Sequence, residues 1–286
     1  MRVKTFTSVV RCLHQTIMPL KFSANVSMIF TEEKDLLQRY RSAKQVGFKG
    51  VECVFPYDVP TEKLSAVRKE LGIEQTLINT YMGNRQKREM GFAAIPGKEK
   101  EFQDSLELSI KYCKALGCKC LHIMSGKVPD HEESQKADLL KQMEDTYVKN
   151  LTDAVPRLEK EGILALIEPM NTKISFPNYF MNTIDLAVRV IDKVGHRNLK
   201  LQFDFFHVQI MHGNLTKNFK DNFKHVGYIQ VSQPPHRGEP DSGGEIDYKY
   251  IFAFLEEMGY DGWIGAEYTP TGKSEDSFKW FEKFKV

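Results

Sequence analysis

The sequence predicts a single α/β domain folded as a (β/α)8 barrel, and three observations lead to this prediction. Short runs rich in β-branched and aromatic residues alternate with longer amphipathic stretches from residue 22 to the C-terminus. The junctions from helix to strand are short and rich in glycine. The segments that follow the strands are longer and more polar, which is typical of the face of a barrel that carries its chemistry.

Eight segments have the composition of strands. They lie at residues 22–30, 50–55, 74–81, 120–125, 164–170, 199–207, 225–232 and 263–269. Regular alternation with helices favours a parallel sheet, because parallel neighbours need a helical crossover between them.

Helical periodicity fills the stretches between these strands. In residues 32–46, apolar side chains recur at spacings of three and four, at Leu36, Leu37, Tyr40, Ala43 and Val46. The other predicted helices lie at residues 61–71, 98–116, 134–161, 183–194, 215–223, 248–258 and 274–284.

The junctions before the strands carry glycine at Gly47, Gly50, Gly117, Gly162, Gly195, Gly259 and Gly262. A glycine directly after a helix fits a left-handed C-cap. The longest segment after a strand is 82–97, which could cover a site. An open doubly wound sheet is the competing fold, but residues 25–31 lack the glycine-rich phosphate turn that such a sheet normally carries after its first strand.

The overall charge excludes several classes of partner. Forty Lys and Arg residues stand against 38 Asp and Glu residues, a formal net charge of +2. Such a chain has no global field to attract nucleic acid or an anionic membrane. We therefore expect a small-molecule substrate, no nucleic acid and no membrane partner, and the composition is compatible with a homo-oligomer.

The predicted barrel domain spans residues 18–286, after an extension at residues 1–17. The extension carries Arg2, Lys4 and Arg11 and no acid, a composition found in mitochondrial presequences. Met18 could equally be an alternative start. Five cysteines without metal-type spacing fit reduced thiols, so we expect a cytoplasmic protein, with a mitochondrial location as the alternative. No run of about 18 apolar residues occurs that would span a membrane.

Four consecutive predicted strands, the fifth to the eighth, carry a metal-competent side chain near their C-terminal ends: Glu168, Asp204, Gln230 and Glu267. Apolar residues precede both glutamates, so neither carboxylate resembles a solvated surface charge. Buried carboxylates are neutralised, paired or bound to a cation. The alternative is that each acid pairs with a nearby Lys or Arg or caps a helix.

Strand ends converge at the mouth of a parallel barrel, so these four groups could surround one ion. Ligation by three carboxylates and one amide suits a hard cation such as Mg²⁺ or Mn²⁺, and the scarcity of Cys and His argues against zinc. We predict a divalent metal cofactor.

Further polar residues surround this group. His207 follows Asp204 on the same predicted strand end and could bond a hydroxyl or carbonyl oxygen, although a packed histidine is the alternative. Arg237, in a proline-rich segment after the seventh strand, offers a planar pair of donors to a substrate carboxylate, although a surface arginine is as plausible. Asn171 and His122 are weaker candidates for substrate contacts.

The motifs around these residues resemble the hydroxypyruvate isomerase family, which belongs to the xylose-isomerase-like TIM barrels. They are Glu168-Pro169-Met170-Asn171, Gln202-Phe203-Asp204-Phe205-Phe206-His207, Arg237-Gly238-Glu239-Pro240, Gly244-Glu245-Ile246-Asp247-Tyr248 and Gly265-Ala266-Glu267-Tyr268. The resemblance extends over residues 22–284.

The resemblance implies metal ligands at Glu168, Asp204, Gln230 and Glu267, and catalytic roles for Glu168 and Glu267. It also implies interconversion of hydroxypyruvate and 2-hydroxy-3-oxopropanoate through an enediolate, with Arg237 and His236 holding the carboxylate. Many related epimerases have histidine at the position of Gln230, which is a weaker, neutral ligand.

Two other functions stay open at this point, whereas the activity of the endonuclease IV relatives is disfavoured. A ketose 3-epimerase would use the same glutamates on a longer sugar. A barrel without turnover would serve as a binding protein. Endonuclease IV relatives need a histidine-rich set for three ions, which the sequence does not supply beyond Asp204 and His207.

Overall fold

The computed structural model describes residues 19–284 of the protein. Within them, eight parallel strands form a closed barrel in chain order. The strands are β1 (Lys21–Asn25), β2 (Gly50–Cys53), β3 (Glu74–Asn79), β4 (Cys120–His122), β5 (Leu164–Ile167), β6 (Leu199–Asp204), β7 (Val226–Val231) and β8 (Trp263–Ala266). Pairing of β1 with β8 closes the barrel and confirms the predicted fold class.

Helices surround the barrel. They are α1 (Leu36–Gln45), α2 (Thr61–Leu71), α3 (Glu99–Leu116), α4 (Lys136–Lys160), α5 (Ile184–Val194), α6 (Phe205–Met211), α7 (Leu215–Asn222), α8 (Tyr248–Glu257) and α9 (Lys279–Phe284). Gly117 and Gly195 end α3 and α5 with φ angles of 63°. A Cβ atom is unfavourable in this left-handed conformation, so these positions confirm the predicted glycine C-caps.

The first strand is shorter than predicted, because the chain turns at Asn25. The Asn25 side-chain oxygen accepts a hydrogen bond from the Ser27 backbone N–H at 3.0 Å, and its carbonyl accepts one from Ile29 at 2.8 Å. An asparagine that bonds the backbone two residues ahead favours a turn over an extended strand. Residues 26–30 therefore belong to the segment after β1.

The sixth strand is also shorter, and the prediction that His207 lies on its end was wrong. β6 ends at Asp204, whose carboxylate accepts a hydrogen bond from the Phe206 N–H at 2.8 Å and caps α6. His207 therefore lies in the first turn of α6. The aromatic residues Phe205 and Phe206 have the composition of a strand, but the cap and the burial of their rings favour the helix.

The middle of the barrel interior is polar. The Tyr228 hydroxyl of β7 lies 2.8 Å from Ser23 Oγ of β1 and 2.9 Å from Thr76 Oγ1 of β3. It also donates a hydrogen bond to Glu52 Oε2 of β2 at 2.8 Å. One phenol thus connects four strands across the interior.

Residues 1–17, the predicted extension, lie outside the described part of the chain, as do the last two residues. Within residues 19–284, no helix combines the length and the apolar character needed to cross a membrane.

Candidate active site

A cavity of about 840 Å³ opens at the C-terminal ends of the strands. Its deep end is lined by polar side chains, namely Glu168, Gln202, His207, Gln230, Arg237 and Glu267. Lys34, Arg39, Asp58 and several methionines also line the cavity. Barrel enzymes place their chemistry at this face, where the loops after the strands meet.

Glu168 follows β5 and is 4% exposed. Its Oε2 lies 3.3 Å from His122 Nδ1, whereas its Oε1 has no hydrogen-bond partner among the described residues. Burial raises the pKa of Glu168 well above its usual value, the Glu267 and Asp204 carboxyls raise it further, and Arg237 opposes the rise. A buried carboxylate oxygen without a partner is costly, so this atom points to a ligand.

The two carboxylate oxygens of Asp204 have different contacts. Oδ1 caps α6, as described above. Oδ2 lies 3.4 Å from Arg237 Nη2 and 3.5 Å from His207 Nε2. Burial raises the pKa of Asp204 to about 7, with Arg237 lowering it and Glu267 raising it.

Glu267, after β8, forms an ion pair with Arg237, whose Nη2 donates to Glu267 Oε2 at 2.7 Å. Burial raises the pKa of Glu267, and this ion pair opposes the rise. The two glutamates therefore differ, since Glu168 has no such direct cation. The alternative of capping and pairing thus holds for both oxygens of Asp204 and for one oxygen of Glu267.

Arg237 is held by its own loop. Its φ of 57° lies in the left-handed region, which is uncommon for arginine. The backbone of Gln233 and Gly238 exchanges two hydrogen bonds around it, and the Thr269 N–H donates to the Arg237 carbonyl at 2.8 Å. The guanidinium stacks over the Phe206 ring at 4.9 Å. Nε and Nη2 donate hydrogen bonds to the backbone and side-chain oxygens of Glu267.

Gln230 is oriented by two residues that the sequence analysis missed. Its Nε2 donates to Glu52 Oε1 at 2.9 Å, and its Oε1 accepts from Gln202 Nε2 at 2.6 Å. Burial and the Glu267 carboxyl raise the pKa of Glu52 to about 8. A Cβ at Gly265 would lie 2.4 Å from Glu52 Oε2, so the glycine leaves room for this carboxyl group.

His207 and Asn171 form a buried pair. Asn171 Nδ2 lies 2.7 Å from His207 Nδ1. His207 Nε2, at the cavity, lies 3.8 Å from Glu168 Oε1 and has no hydrogen-bond partner among the described residues. Burial lowers the pKa of His207 well below its usual value, and Arg237 and His122 lower it further. The ring is therefore neutral near pH 7.

Three other predicted contacts lie away from the cavity wall. His122 is fully buried behind Glu168, and burial lowers its pKa to about 3. His236 is exposed on the loop that carries Arg237. Asn171 is also fully buried and contacts His207.

The donor set fits a divalent cation. Glu168, Asp204 and His207 each offer an atom, and these atoms lie within 4.8 Å of one another. Asp204 pairs with Gln230 across β6 and β7. Three carboxylates, those of Glu168, Asp204 and Glu267, stand against a single guanidinium, and Glu168 Oε1 has no partner among the described residues. A hard cation would balance this excess of negative charge.

The chain matches the model of the xylose isomerase-like TIM barrel family over residues 40–284. It belongs to this family.

Three curated relatives are similar to this chain over more than nine tenths of its length. A putative hydroxypyruvate isomerase of Danio rerio is 44% identical, covering 93% of this chain and 96% of the relative. The hydroxypyruvate isomerase of Escherichia coli is 41% identical over 93% of this chain and its own full length. A 2-oxo-tetronate isomerase of Pectobacterium atrosepticum is 37% identical, covering 92% of this chain and 97% of the relative. These matches confirm the resemblance to the hydroxypyruvate isomerases and the prediction that the chain is an isomerase.

A solved structure from Brucella melitensis, described as an AP endonuclease of family 2, superimposes with a TM-score of 0.87. It is 38% identical and covers 93% of this chain and 99% of its own. The similarity supports the same barrel over nearly the whole length of both proteins.

Proposed function

We propose that the protein interconverts hydroxypyruvate and 2-hydroxy-3-oxopropanoate (tartronate semialdehyde). One observation carries the proposal: two buried glutamates and a buried arginine share one cavity, with a histidine beside them. The names of the relatives support the choice of a small sugar acid as substrate.

The reaction moves a carbonyl group to the neighbouring carbon. One glutamate of the pair Glu168 and Glu267 takes the proton from C3, which yields an enediolate. The other delivers a proton to C2, while the C3 hydroxyl gives its proton to the C2 oxygen, so that the carbonyl is left at C3. Both carboxyl groups are desolvated, which raises the pKa of each above its usual value and favours proton exchange with the substrate.

Two residues hold the substrate during this transfer. Arg237 binds the carboxylate through Nη1. His207 bonds a substrate oxygen through Nε2. Fixing the substrate in this way orients the C3 hydrogen toward a glutamate and reduces the entropy that the reaction must lose.

Glu168, Asp204, Gln230 and Glu267 would hold Mg²⁺ or Mn²⁺. The ion would supply Lewis-acid stabilisation of negative charge on the substrate oxygens. The charge balance described above supports this assignment.

A second substrate, 2-oxo-tetronate, is supported by the size of the cavity. About 840 Å³ lies in the range of pockets that hold drug-sized ligands, and it extends well beyond the glutamates. The Pectobacterium relative is named for this substrate. A fourth carbon with its hydroxyl would reach toward the methionine-lined part of the cavity.

The deciding experiment assays the purified full-length protein with Mg²⁺ or Mn²⁺ against hydroxypyruvate, 2-oxo-tetronate, fructose and tagatose. We expect the highest kcat/KM for hydroxypyruvate. A higher value for 2-oxo-tetronate would identify the four-carbon acid as the substrate. Turnover of the ketoses alone would establish an epimerase, and binding without turnover of any of them would contradict the proposal.

A further inference from the structure

The orientation of the Asn171 amide is fixed by the backbone around it. Its Oδ1 accepts hydrogen bonds from the N–H groups of Ile174 and Ser175, both at 3.1 Å. Backbone N–H groups can only donate, so the atom facing them is the amide oxygen. The other atom, Nδ2, must therefore face His207 and Ser175, where it can only donate.

This amide determines which His207 nitrogen carries the proton. Nδ1 of the ring lies 2.7 Å from Asn171 Nδ2 and 3.3 Å from the Asn171 backbone N–H, and both of these groups are donors. A ring nitrogen that accepts a hydrogen bond carries no proton, so a neutral imidazole with this contact has its hydrogen on Nε2. Edge-on packing against Phe176 and Phe206 holds the ring in place.

We propose that Asn171 is a positioning residue, which fixes His207 as an Nε2–H donor at the Glu168 and Asp204 side of the cavity. Such a donor suits an electron-rich substrate oxygen, such as the C2 oxygen as it gains charge. The role in turnover rests on the isomerase function proposed above, whereas the position of the proton does not.

The same hydrogen bonds exclude His207 from the ligands of a metal ion. Its Nε2 lies close enough to Glu168 and Asp204 to join them around a cation. A ligand nitrogen must offer a lone pair, however, and Nε2 carries the proton while Nδ1 accepts from Asn171. To ligate through Nε2 and keep this contact, the neutral ring would have to lose its single N–H proton and become an imidazolate. The site is therefore built from oxygen ligands, with Gln230 rather than His207 completing it.

Nitrogen NMR of the ¹⁵N-labelled full-length protein tests the assignment directly, with His207→Gln identifying the resonances. We expect an unprotonated Nδ1 and a protonated Nε2 at pH 7 to 8, without and with Mg²⁺. A proton on Nδ1, or loss of the Nε2 proton when Mg²⁺ binds, would overturn the proposal. The protein carries eight histidines, so the variant spectrum is needed.

Asn171→Asp reverses the hydrogen-bond polarity while keeping an acceptor for Ile174 and Ser175. An oxygen then faces Nδ1, so we expect Nδ1 to gain a proton. If the ring stays neutral, it loses its Nε2 donor. If it becomes doubly protonated, it is attracted to the Asp204 and Glu168 carboxylates. In either case kcat should fall by roughly 10²-fold. An unprotonated Nδ1, or a kcat within threefold of wild type, would overturn the proposal.

A double-mutant cycle separates this role from a structural one. The glutamine of His207→Gln can donate near the Nε2 position without any help from Asn171. In that background we expect Asn171→Asp to lower kcat by less than about threefold. An equal loss in both backgrounds would mean that Asn171 only supports the loop, and would overturn the proposal.

Ser175→Ala is the matched control. Ser175 Oγ accepts from Asn171 Nδ2 at 3.1 Å, but it forms no hydrogen bond with the His207 ring. We expect an unchanged tautomer and kcat, and a changed tautomer would show that the loop sets it instead of Asn171. Because NMR needs no turnover, inactivity on hydroxypyruvate would defeat the proposed function and leave the tautomer result standing.

Discussion

At the scale of single residues, the two glutamates share a cavity but have different partners. Glu267 pairs with Arg237, and Glu168 lies beside the neutral rings of His122 and His207. Burial raises the pKa of both carboxyl groups, which is compatible with the proton transfers proposed above.

Glu168→Gln and Glu267→Gln should each lower kcat by at least about 10³-fold, because an amide cannot take or deliver the proton. The measurement is steady-state turnover, with circular dichroism confirming the fold. Glu257→Gln, at an exposed position on α8, is the control and should keep full activity. Retained turnover in both glutamate variants would rule out the mechanism.

We expect Glu52→Gln to disturb the orientation of Gln230 in the site. Glu52 Oε1 accepts from Asn25 and Gln230, and Oε2 accepts from Tyr228. An amide that places its NH2 group at the first position loses two of these contacts, and one that places it at the second loses the Tyr228 contact. We expect a loss of about 2 kcal/mol in the free energy of unfolding, measured in urea, together with reduced activity. Tyr228→Phe, which spares the Gln230 contact, should lower stability with a smaller effect on activity. The reverse pattern would mean that Glu52 does not position Gln230.

The convergence of strand ends made part of the site predictable. Glu168, Asp204, Gln230 and Glu267 come from neighbouring strands, so the fold class alone brings them together. Glu52 and Gln202 were missed because the strands of a parallel barrel are buried on both faces, and composition does not show which residues point inward. A buried glutamate within the run Gly50–Cys53 was the available signal.

At the scale of elements, the capping of α6 shows why the sequence pattern predicted too long a strand β6. The sequence places a strand up to residue 207 because its aromatic residues fit a sheet. The hydrogen bond from the Phe206 N–H to the Asp204 carboxylate starts helix α6 at this point, and His207 in its first turn faces the cavity. The contact depends on the three-dimensional position of Asp204, which the strand pattern does not specify.

Helices α4 and α5 are joined by a charge cluster with a defined pH dependence. Glu144, 14% exposed, accepts both arms of Arg189 at 3.0 Å and Lys193 at 2.7 Å. The Arg189 hydrogen bonds lower the pKa of Glu144, burial opposes this, and Lys193 adds to it. The folded state therefore binds this proton less tightly than the unfolded state, so stability is present above pH 4.5 and is lost as the pH falls through the lowered pKa.

Glu144→Gln should therefore lower the free energy of unfolding by about 1 kcal/mol at pH 7, a modest value because both cations are half exposed. The difference from wild type should shrink toward zero as the pH falls below 4.5, the ordinary carboxyl value. Urea titrations at several pH values measure it. Glu133→Gln, at an exposed pair with Lys136, serves as the control and should change stability by less than about 0.5 kcal/mol.

At the scale of the whole molecule, the barrel closes within residues 19–284. A chain starting at Met18 should therefore keep its activity and its melting temperature to within roughly 2 °C, since the described strands and helices are all retained. Calorimetry and turnover of the shortened protein provide the test. A large loss of either would show that residues 1–17 contribute to the folded domain.

Metal removal should lower the stability of the whole molecule, because an ion that binds only the folded state stabilises that state. We expect exhaustive chelation to abolish turnover, and Mg²⁺ or Mn²⁺ to restore it. At an ion concentration of 100 times Kd, the free energy of unfolding should rise by about 2.7 kcal/mol. Unchanged activity and stability, with removal verified by elemental analysis, would assign the carboxylates another purpose.

The Tyr228 hydroxyl has a consequence for how the barrel opens. It belongs to the second half of the strands, and its three partners, Ser23, Glu52 and Thr76, belong to the first half. Separating the half-barrels breaks all three buried contacts, so neither half can detach at low cost. Amide hydrogens of β1–β3 and β7 should then exchange with solvent through one shared opening event instead of two independent ones.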